Sequence, residues 1–317
     1  MNIGALVISY KRFQYLESII SKINDLKIPC IYYQNLTNDK CNSYMKVKNI
    51  LQRNINNTKN IYVNPPIFLN AGKSISYAIN YASKKFDYVL IIEDDIDIKK
   101  LSNDIVKEAC LLIKKEKNIA TISLYSPYKN NSQNIKDYSL IKSNYTHSWG
   151  WILKSSVWKS FNPYCESLKH IPKFNIFQFN LFFRKYAYCC LASLAAKGLI
   201  DTWDYQWNVF CQSKNFIHYK VFPSITYHLG NKDTFATNSR NSSQVDNLQL
   251  EKYEIYEIGY KKLKMLNPYC DLDLELLVNH HNLNITKSLF FIILNHLPIS
   301  ISIYLFKIIR KLLLKYR

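Results

Sequence analysis

Glu93, Asp94 and Asp95 stand side by side directly after "YVLII" (88–92), an unbroken apolar, strand-forming run. Adjacent carboxylates repel one another and raise each other's pKa. A helix N-cap uses one Asp and leaves the other two acids unexplained. A divalent cation explains all three, because it offsets the repulsion and takes hard oxygen ligands. Mg²⁺ and Mn²⁺ commonly bind through one or two carboxylates plus substrate phosphates. The cluster therefore points to a metal shared with a diphosphate, and its position after a buried strand gives a weak motif its meaning.

The surrounding elements must hold those acids at a strand end. "IGALVIS" (3–9) reads as a strand, and "YLESIISKINDL" carries Leu16, Ile19, Ile20, Ile23 and Leu26 at helical spacing. Further strands are expected at 29–35, 60–64, 88–92 and 119–125, with helices at about 43–53, 74–86 and 101–116. Strands alternating with helices imply a largely parallel α/β sheet covered on both faces, with ligands beyond the carboxyl ends of the strands. The rhythm weakens after about 125, where Trp, Tyr and polar loop sequence increase. The expected organisation is a regular α/β half at 1–125, a less regular half of the same domain at 126–245 that completes a cleft, and a helical tail at 246–317.

The chain has 317 residues, 48% of them hydrophobic, and a net charge of +19. No zinc-finger spacing, RNP signature or arginine-rich run accompanies that charge, so nucleic acid is not the expected partner. The eight cysteines form no CxxC and suggest neither a zinc site nor a disulfide framework. Residues 1–10 read as a strand rather than a secretory leader, so a cytoplasmic location is expected. "SLFFIILNHLPISISIYLF" (288–306) is apolar but broken by Asn295, His296 and Pro298. A spanning helix needs about 20 continuous apolar residues. With Lys307, Arg310, Lys311, Lys315 and Arg317 following, an anchor on the membrane's inner face fits better than a span. The alternative is a helix pair packed on the domain.

"VLIIEDDIDI" resembles the metal-binding DXD segment of GT-A glycosyltransferases, in the form of the N-acetylglucosaminyltransferase I type and of bacterial hemolytic-protein-like sugar transferases. "LVISYKR", "NAGKSISYAINYA", "HSWGWILKSSVW", "DTWDYQWNVF" and "PSITYHLGNKDTFATNS" resemble further segments of that family in the same order, over residues 3 to about 240. The resemblance implies a Rossmann-like GT-A sheet, mixed and mainly parallel. It implies a nucleotide-sugar donor, UDP-linked by default, with Mn²⁺ or Mg²⁺. It implies a glycan or lipid-linked saccharide acceptor, as in surface polysaccharide or lipooligosaccharide synthesis.

By the same resemblance Asp95 binds the metal, Glu93 and Asp94 orient the donor's ribose and sugar hydroxyls, and Arg12 contacts the nucleotide. Asn70 and Gly72 suit a close backbone approach to the nucleotide, and an ordinary turn would use the same pair. Asp204, between Trp203 and Trp207, matches the family's base and implies inversion; the competing role is a helix N-cap, and Asp201 is the second choice. Trp149, Trp151 and Trp203 are candidates for stacking on sugars or for core packing. Thr237 or Ser239, in a lid-like loop, would bond a donor phosphate. Lys73 reads as a solvent-facing lysine, Asp97 as a solvated acid or cap, and His228 as a packed histidine rather than a metal ligand. Two departures leave the base open: Asn35 stands where the family often has a uracil-reading Asp, and "KSIS" lacks a base-contacting histidine. The rival readings are a nucleotidyltransferase and a non-catalytic basic membrane- or polyanion-binding protein. The first wants a Gly-rich loop after the opening strand, and "SYKRFQYL" has no glycine.

Overall fold

The computed structural model describes residues 1–38, 41–56, 59–99, 101–126, 138–170, 179–229, 264–266, 285–298, 300–305 and 308. Thr237, Ser239 and the basic residues 307, 310, 311, 315 and 317 lie outside them. The chain divides into two compact units, one of residues 1–160 with 215–269, the other of 161–214 with 270–317. This division does not follow the contiguous boundaries at 125 and 245, because strands after 138 and after 215 join the same sheet as the opening strands.

The first unit opens with β1 (Ile3–Ser9), α1 (Leu16–Asp25), β2 (Cys30–Gln34), α2 (Asn42–Arg53), β3 (Ile61–Val63) and α3 (Ala71–Lys85). β4 (Tyr88–Glu93), β5 (Ile96–Ile98), α4 (Asn103–Lys115), β6 (Ile119–Ser123), β7 (Ser139–Ser143), β8 (Trp151–Lys154) and α5 (Ser155–Trp158) follow. The second unit holds α6 (Glu166–Lys169), α7 (Phe179–Ala196) and α8 (Asp204–Ser213). The chain then returns to the first unit with β9 (Ile217–Phe222), β10 (Thr226–His228) and β11 (Lys264–Leu266), and α9 (Ile285–His296) belongs to the second.

Among the described residues the main sheet has the order β11-β7-β9-β6-β8-β4-β1-β2-β3, and β10 pairs with β5 in a separate ribbon. β1, β2, β3 and β4 run parallel, and β8 enters antiparallel between β4 and β6. This is the mixed, mainly parallel α/β sheet that the element rhythm predicts. β1 and β4 are buried along nearly their whole length, which is why both read as continuous apolar runs. On one face, Leu16, Ile19, Ile20 and Ile23 of α1 join Val47 and Leu51 of α2 and Ile105, Ala109 and Ile113 of α4 in a core with Val7, Leu90 and Ile92. Each such large side chain contributes about 1.5–3 kcal/mol by leaving water. α3 packs separately, with Ser74 Oγ bonded to Tyr33 Oη (2.9 Å) and Asn80 Oδ1 accepting from Trp158 Nε1 (2.7 Å).

The chain leaves β1 for β2 on one side and later inserts β4 on the other. The β1/β4 seam is therefore the point where strand order reverses, and a crevice for ligands opens beyond the carboxyl ends of such strands.

Candidate functional site

Both strands of that seam end in charged residues. β4 stops at Glu93 and delivers Asp94 and Asp95 in a turn before β5. β1 stops at Ser9, and Arg12 follows. The acids are buried, at 4% and 6% exposure, so their charges need partners. Arg12 Nη1 donates to Asp94 Oδ1 (3.2 Å) and to Asp95 Oδ2 (2.7 Å). Asp94 Oδ2 accepts from the Tyr10 backbone N–H (2.9 Å). Asp94 and Asp95 thus meet their countercharge inside the protein, and Arg12 lies on the acids rather than waiting open for a nucleotide.

The ribbon of β5 and β10 brings a further group to the cluster. His228 pairs with Ile96 in the ribbon register, and Leu229 N donates to the Asp95 carbonyl (2.7 Å). His228 Nε2 lies 3.4 Å from Asp95 Oδ2. His228 also stacks on Trp149, with ring centroids 4.6 Å apart and planes at 25°. The edges of Trp149, His147 and Tyr125 close into an aromatic triangle at 4.6–4.7 Å. Gly150 holds this arrangement: its φ of +81° is left-handed, and an added Cβ would lie 2.7 Å from Thr226 Cγ2. Thr226 Oγ1 in turn donates to the Trp149 carbonyl (2.5 Å).

The electrostatics follow from burial and from these contacts. Burial, reinforced by the neighbouring Asp95 charge, pushes Asp94 up to about 7 against the opposing pull of Arg12. Burial also raises Asp95, but the His228 contact and the Arg12 charge outweigh it and hold its carboxyl below the usual range. Their surroundings thus shift the two carboxyls in opposite directions.

A carboxylate and an imidazole are ligand types that a divalent cation takes. Asp95 Oδ2 and His228 Nε2 stand 3.4 Å apart, and adjacent ligands of an octahedral ion with bonds of about 2.1 Å lie about 3 Å apart. Among the described residues no three or more His, Cys, Asp or Glu gather as an all-protein cage. Mg²⁺ and Mn²⁺ do not ordinarily require one.

Residues 2–167, a little over half of the chain, match the GNT-I family. The chain belongs to the GNT-I family. A relative from Arabidopsis thaliana, alpha-1,3-mannosyl-glycoprotein 2-beta-N-acetylglucosaminyltransferase, is 24% identical over 174 residues, which cover 50% of this chain and 39% of the relative. The chain thus spans about two fifths of that relative's length. A mannosyltransferase from Pyrobaculum calidifontis, solved with GDP-mannose and Mn²⁺, is 10% identical with a TM-score of 0.39, covering 68% of this chain and 69% of its own. A 4-diphosphocytidyl-2C-methyl-D-erythritol synthase from Anaerococcus prevotii is 12% identical with a TM-score of 0.33, covering 57% and 82%. Structural likenesses this distant carry no argument about chemistry.

Within this GNT-I chain the other expected residues fall as follows. Asn70 is exposed and begins α3, where its carbonyl accepts from Ser74 N (2.8 Å). Gly72 is buried inside the first turn of α3, so the pair marks a helix start rather than a turn. Lys73 is exposed. Asn35 is buried, and its amide bonds both the carbonyl (2.6 Å) and the N–H (3.4 Å) of Leu69. The residue at the uracil-reading position of the family is here a latch on the loop before α3. Asp97 pairs with Lys22 (2.7 Å) and Lys99 (3.9 Å) rather than standing in solvent.

Of the two roles expected for the tryptophans, burial favours core packing for Trp151 and Trp203. Trp151 is fully buried on β8 between β4 and β6 and meets Trp158 edge-on at 6.4 Å, so a sugar has no access to it. Trp203 is 4% exposed and likewise offers no open ring. Trp149 is half-buried, with one indole face taken by His228.

Asp204 lies in the second unit. It is the first residue of α8 rather than its cap, which is Trp203. Its Oδ1 accepts from Thr202 Oγ1 and from Tyr205 N. Burial raises the Asp204 carboxyl above its usual range, and hydrogen bonds from Thr202 and from the backbone N–H groups of Tyr205 and Asp204 oppose the shift. His228, expected as a packed histidine, is indeed stacked on Trp149, and it also stands beside Asp95.

Proposed function

We propose that this chain transfers a sugar from a nucleotide-diphosphate donor, UDP-linked by default, to a hydroxyl of a glycan or lipid-linked saccharide. The observation that carries the reading is the buried Asp94–Asp95 pair at the carboxyl end of β4, with Arg12 and His228 upon it, at the seam where strand order reverses. Family membership and this placement support it together. Asp95 and His228 would hold Mg²⁺ or Mn²⁺, and a bound ion supplies charge neutralisation of the departing diphosphate. Glu93 and Asp94 orient the donor's ribose and sugar hydroxyls, and the start of α3 at Asn70 and Gly72 lies along the nucleotide. Thr237 and Ser239 remain proposed phosphate contacts. By the family resemblance Asp204 is the proposed base for the acceptor's proton, and a carboxyl raised by burial is a stronger base for that step. The same resemblance supports transfer with inversion.

The proposed setting is the cytoplasmic face of a membrane, in surface polysaccharide or lipooligosaccharide assembly. No helix among the described residues is long and apolar enough to cross a membrane. Leu289 and Ile293 on α9, with Ile301 and Tyr304 in the helical stretch after it, are exposed at 40–66%. Such an apolar face beside a basic tail sequence suits the surface of an anionic bilayer.

Donor hydrolysis, screened across nucleotide sugars with and without Mn²⁺, tests the reading. One donor should be turned over only with the metal present, and Asp95→Ala should abolish that turnover. No metal-dependent nucleotide binding by calorimetry would favour a non-catalytic binding protein instead.

A further inference from the structure

We infer that Arg12 is a place-holding cation for the acidic pair: its guanidinium occupies the carboxylate oxygens until metal and nucleotide diphosphate arrive together, and then transfers to the diphosphate. The inference rests on the proposed metal–diphosphate reading of this site. It concerns what the side chain does before and after loading.

The geometry carries the argument. One nitrogen, Arg12 Nη1, bonds both Asp94 Oδ1 and Asp95 Oδ2, at 3.2 and 2.7 Å. Asp95 Oδ2 is also the oxygen that faces His228 Nε2 at 3.4 Å. A cation set between Asp95 Oδ2 and His228 Nε2 would therefore use the oxygen that Arg12 already occupies. All three charged side chains are largely withdrawn from water, with Arg12 at 16% side-chain exposure and the acids at 6% and 8%. A charge pair in such a place is weakly screened by salt, so a metal ion alone gains little by displacing the guanidinium. Displacement becomes favourable when a second anion receives the arginine. Arg12 leaves β1 and the acids leave β4, neighbouring strands whose carboxyl ends flank the same crevice, and a planar guanidinium fork matches phosphate as well as carboxylate. Metal and diphosphate then bind with positive coupling, and the coupling is reciprocal.

The test is Mn²⁺ titration of the purified chain by calorimetry and by loss of the free-Mn²⁺ paramagnetic signal, with and without UDP. Wild type should bind Mn²⁺ weakly alone and at least tenfold more tightly with UDP. Arg12→Gln should bind Mn²⁺ alone at least tenfold more tightly than wild type, and UDP should then add less than threefold. Arg12→Lys keeps a cation but loses the fork, and should fall between. Should Arg12→Gln fold poorly without metal, its melting temperature should rise more with Mn²⁺ than that of wild type. Equal or weaker Mn²⁺ binding by Arg12→Gln, with UDP coupling intact, would overturn the role of Arg12 and leave the transferase reading standing. Absence of Mn²⁺ binding to either protein, with or without UDP, would overturn both.

Discussion

Replacing Gly150 with alanine probes whether one backbone position sets the geometry around Asp95. The φ of +81° costs a residue with a Cβ about 1–2 kcal/mol. The new Cβ would also meet Thr226 Cγ2 at 2.7 Å, Thr226 Oγ1 at 3.1 Å and Ile92 Cδ1 at 3.2 Å. Ile92 belongs to the core and has little room to move, so Thr226 must shift. That shift strains its bond to the Trp149 carbonyl, worth about 0.5–1.5 kcal/mol net. Together these place the loss for Gly150→Ala at about 1.5–3.5 kcal/mol. Urea unfolding followed by tryptophan fluorescence gives the number. Thr226→Ser removes the obstructing methyl and keeps the hydroxyl, at about 1 kcal/mol of lost burial. The double variant should then be less destabilised than the sum of the singles by about 1 kcal/mol, because the steric part is relieved while the backbone part stays. Folded Gly150→Ala should bind Mn²⁺–UDP more weakly than wild type, since Trp149 carries His228 against Asp95. Additivity within about 0.5 kcal/mol would refute the close contact as the cause, and an unchanged urea midpoint would refute the strain.

Asp204→Asn should spare Mn²⁺–UDP binding and lower transfer about 10²–10⁴-fold; in wild type the acidic limb of the rate profile should lie above the ordinary carboxylate range, because burial raises this carboxyl. His218 is buried, and burial with the nearby Lys220 charge lowers it to about 3, so it stays neutral in the fold and takes a proton on unfolding below about 6.5. The stability it provides is complete above about pH 6.5 and falls by about 1.4 kcal/mol per pH unit toward pH 3; urea unfolding at pH 7 and 4.5 should show His218→Gln losing about 3 kcal/mol less than wild type, and parallel losses would count against it. Asn35→Asp turns the donor to the Leu69 carbonyl into an acceptor and should cost about 1–3 kcal/mol in the same assay. Co-sedimentation should show the chain on anionic vesicles and not on neutral ones, with Ile293→Glu and Tyr304→Glu weakening it; equal binding to both would contradict an electrostatic anchor.

What was legible in the sequence is what local periodicity encodes. The 3–9 and 88–92 runs became β1 and β4, and the apolar stripe of Leu16, Ile19, Ile20 and Ile23 became the buried face of α1. The expected helices at about 43–53 and 74–86 became α2 and α3 with ends shifted by at most three residues. Placing the acids at a strand end required only the order of these elements. The tryptophans show where such reading stops. Trp149 and Trp151 are two residues apart with the same side chain, yet one lies half-buried against His228 and the other is enclosed between β4 and β6. Their difference comes from the left-handed turn at Gly150 and from which strands flank β8, neither of which a run of residue types records.

The acidic pair's partners illustrate the same limit more sharply. Arg12 and Asp94 are 82 residues apart, and His228 reaches Asp95 only because β10 pairs with β5 in one register. Alternate residues of a strand face opposite ways, so a slip of one position in that ribbon would turn Tyr227, not His228, toward the acids. The register is held by backbone bonds at both ends, Lys99 N to the Ile225 carbonyl and Leu229 N to the Asp95 carbonyl. Its other constraint is Thr226, which also anchors Trp149. A single threonine hydroxyl thus connects the glycine turn, the aromatic stack and the histidine beside the carboxylates. The chemistry expected of three consecutive acids therefore depends on a strand more than 130 residues downstream, whose three residues "TYH" do not by themselves say which acid they will meet.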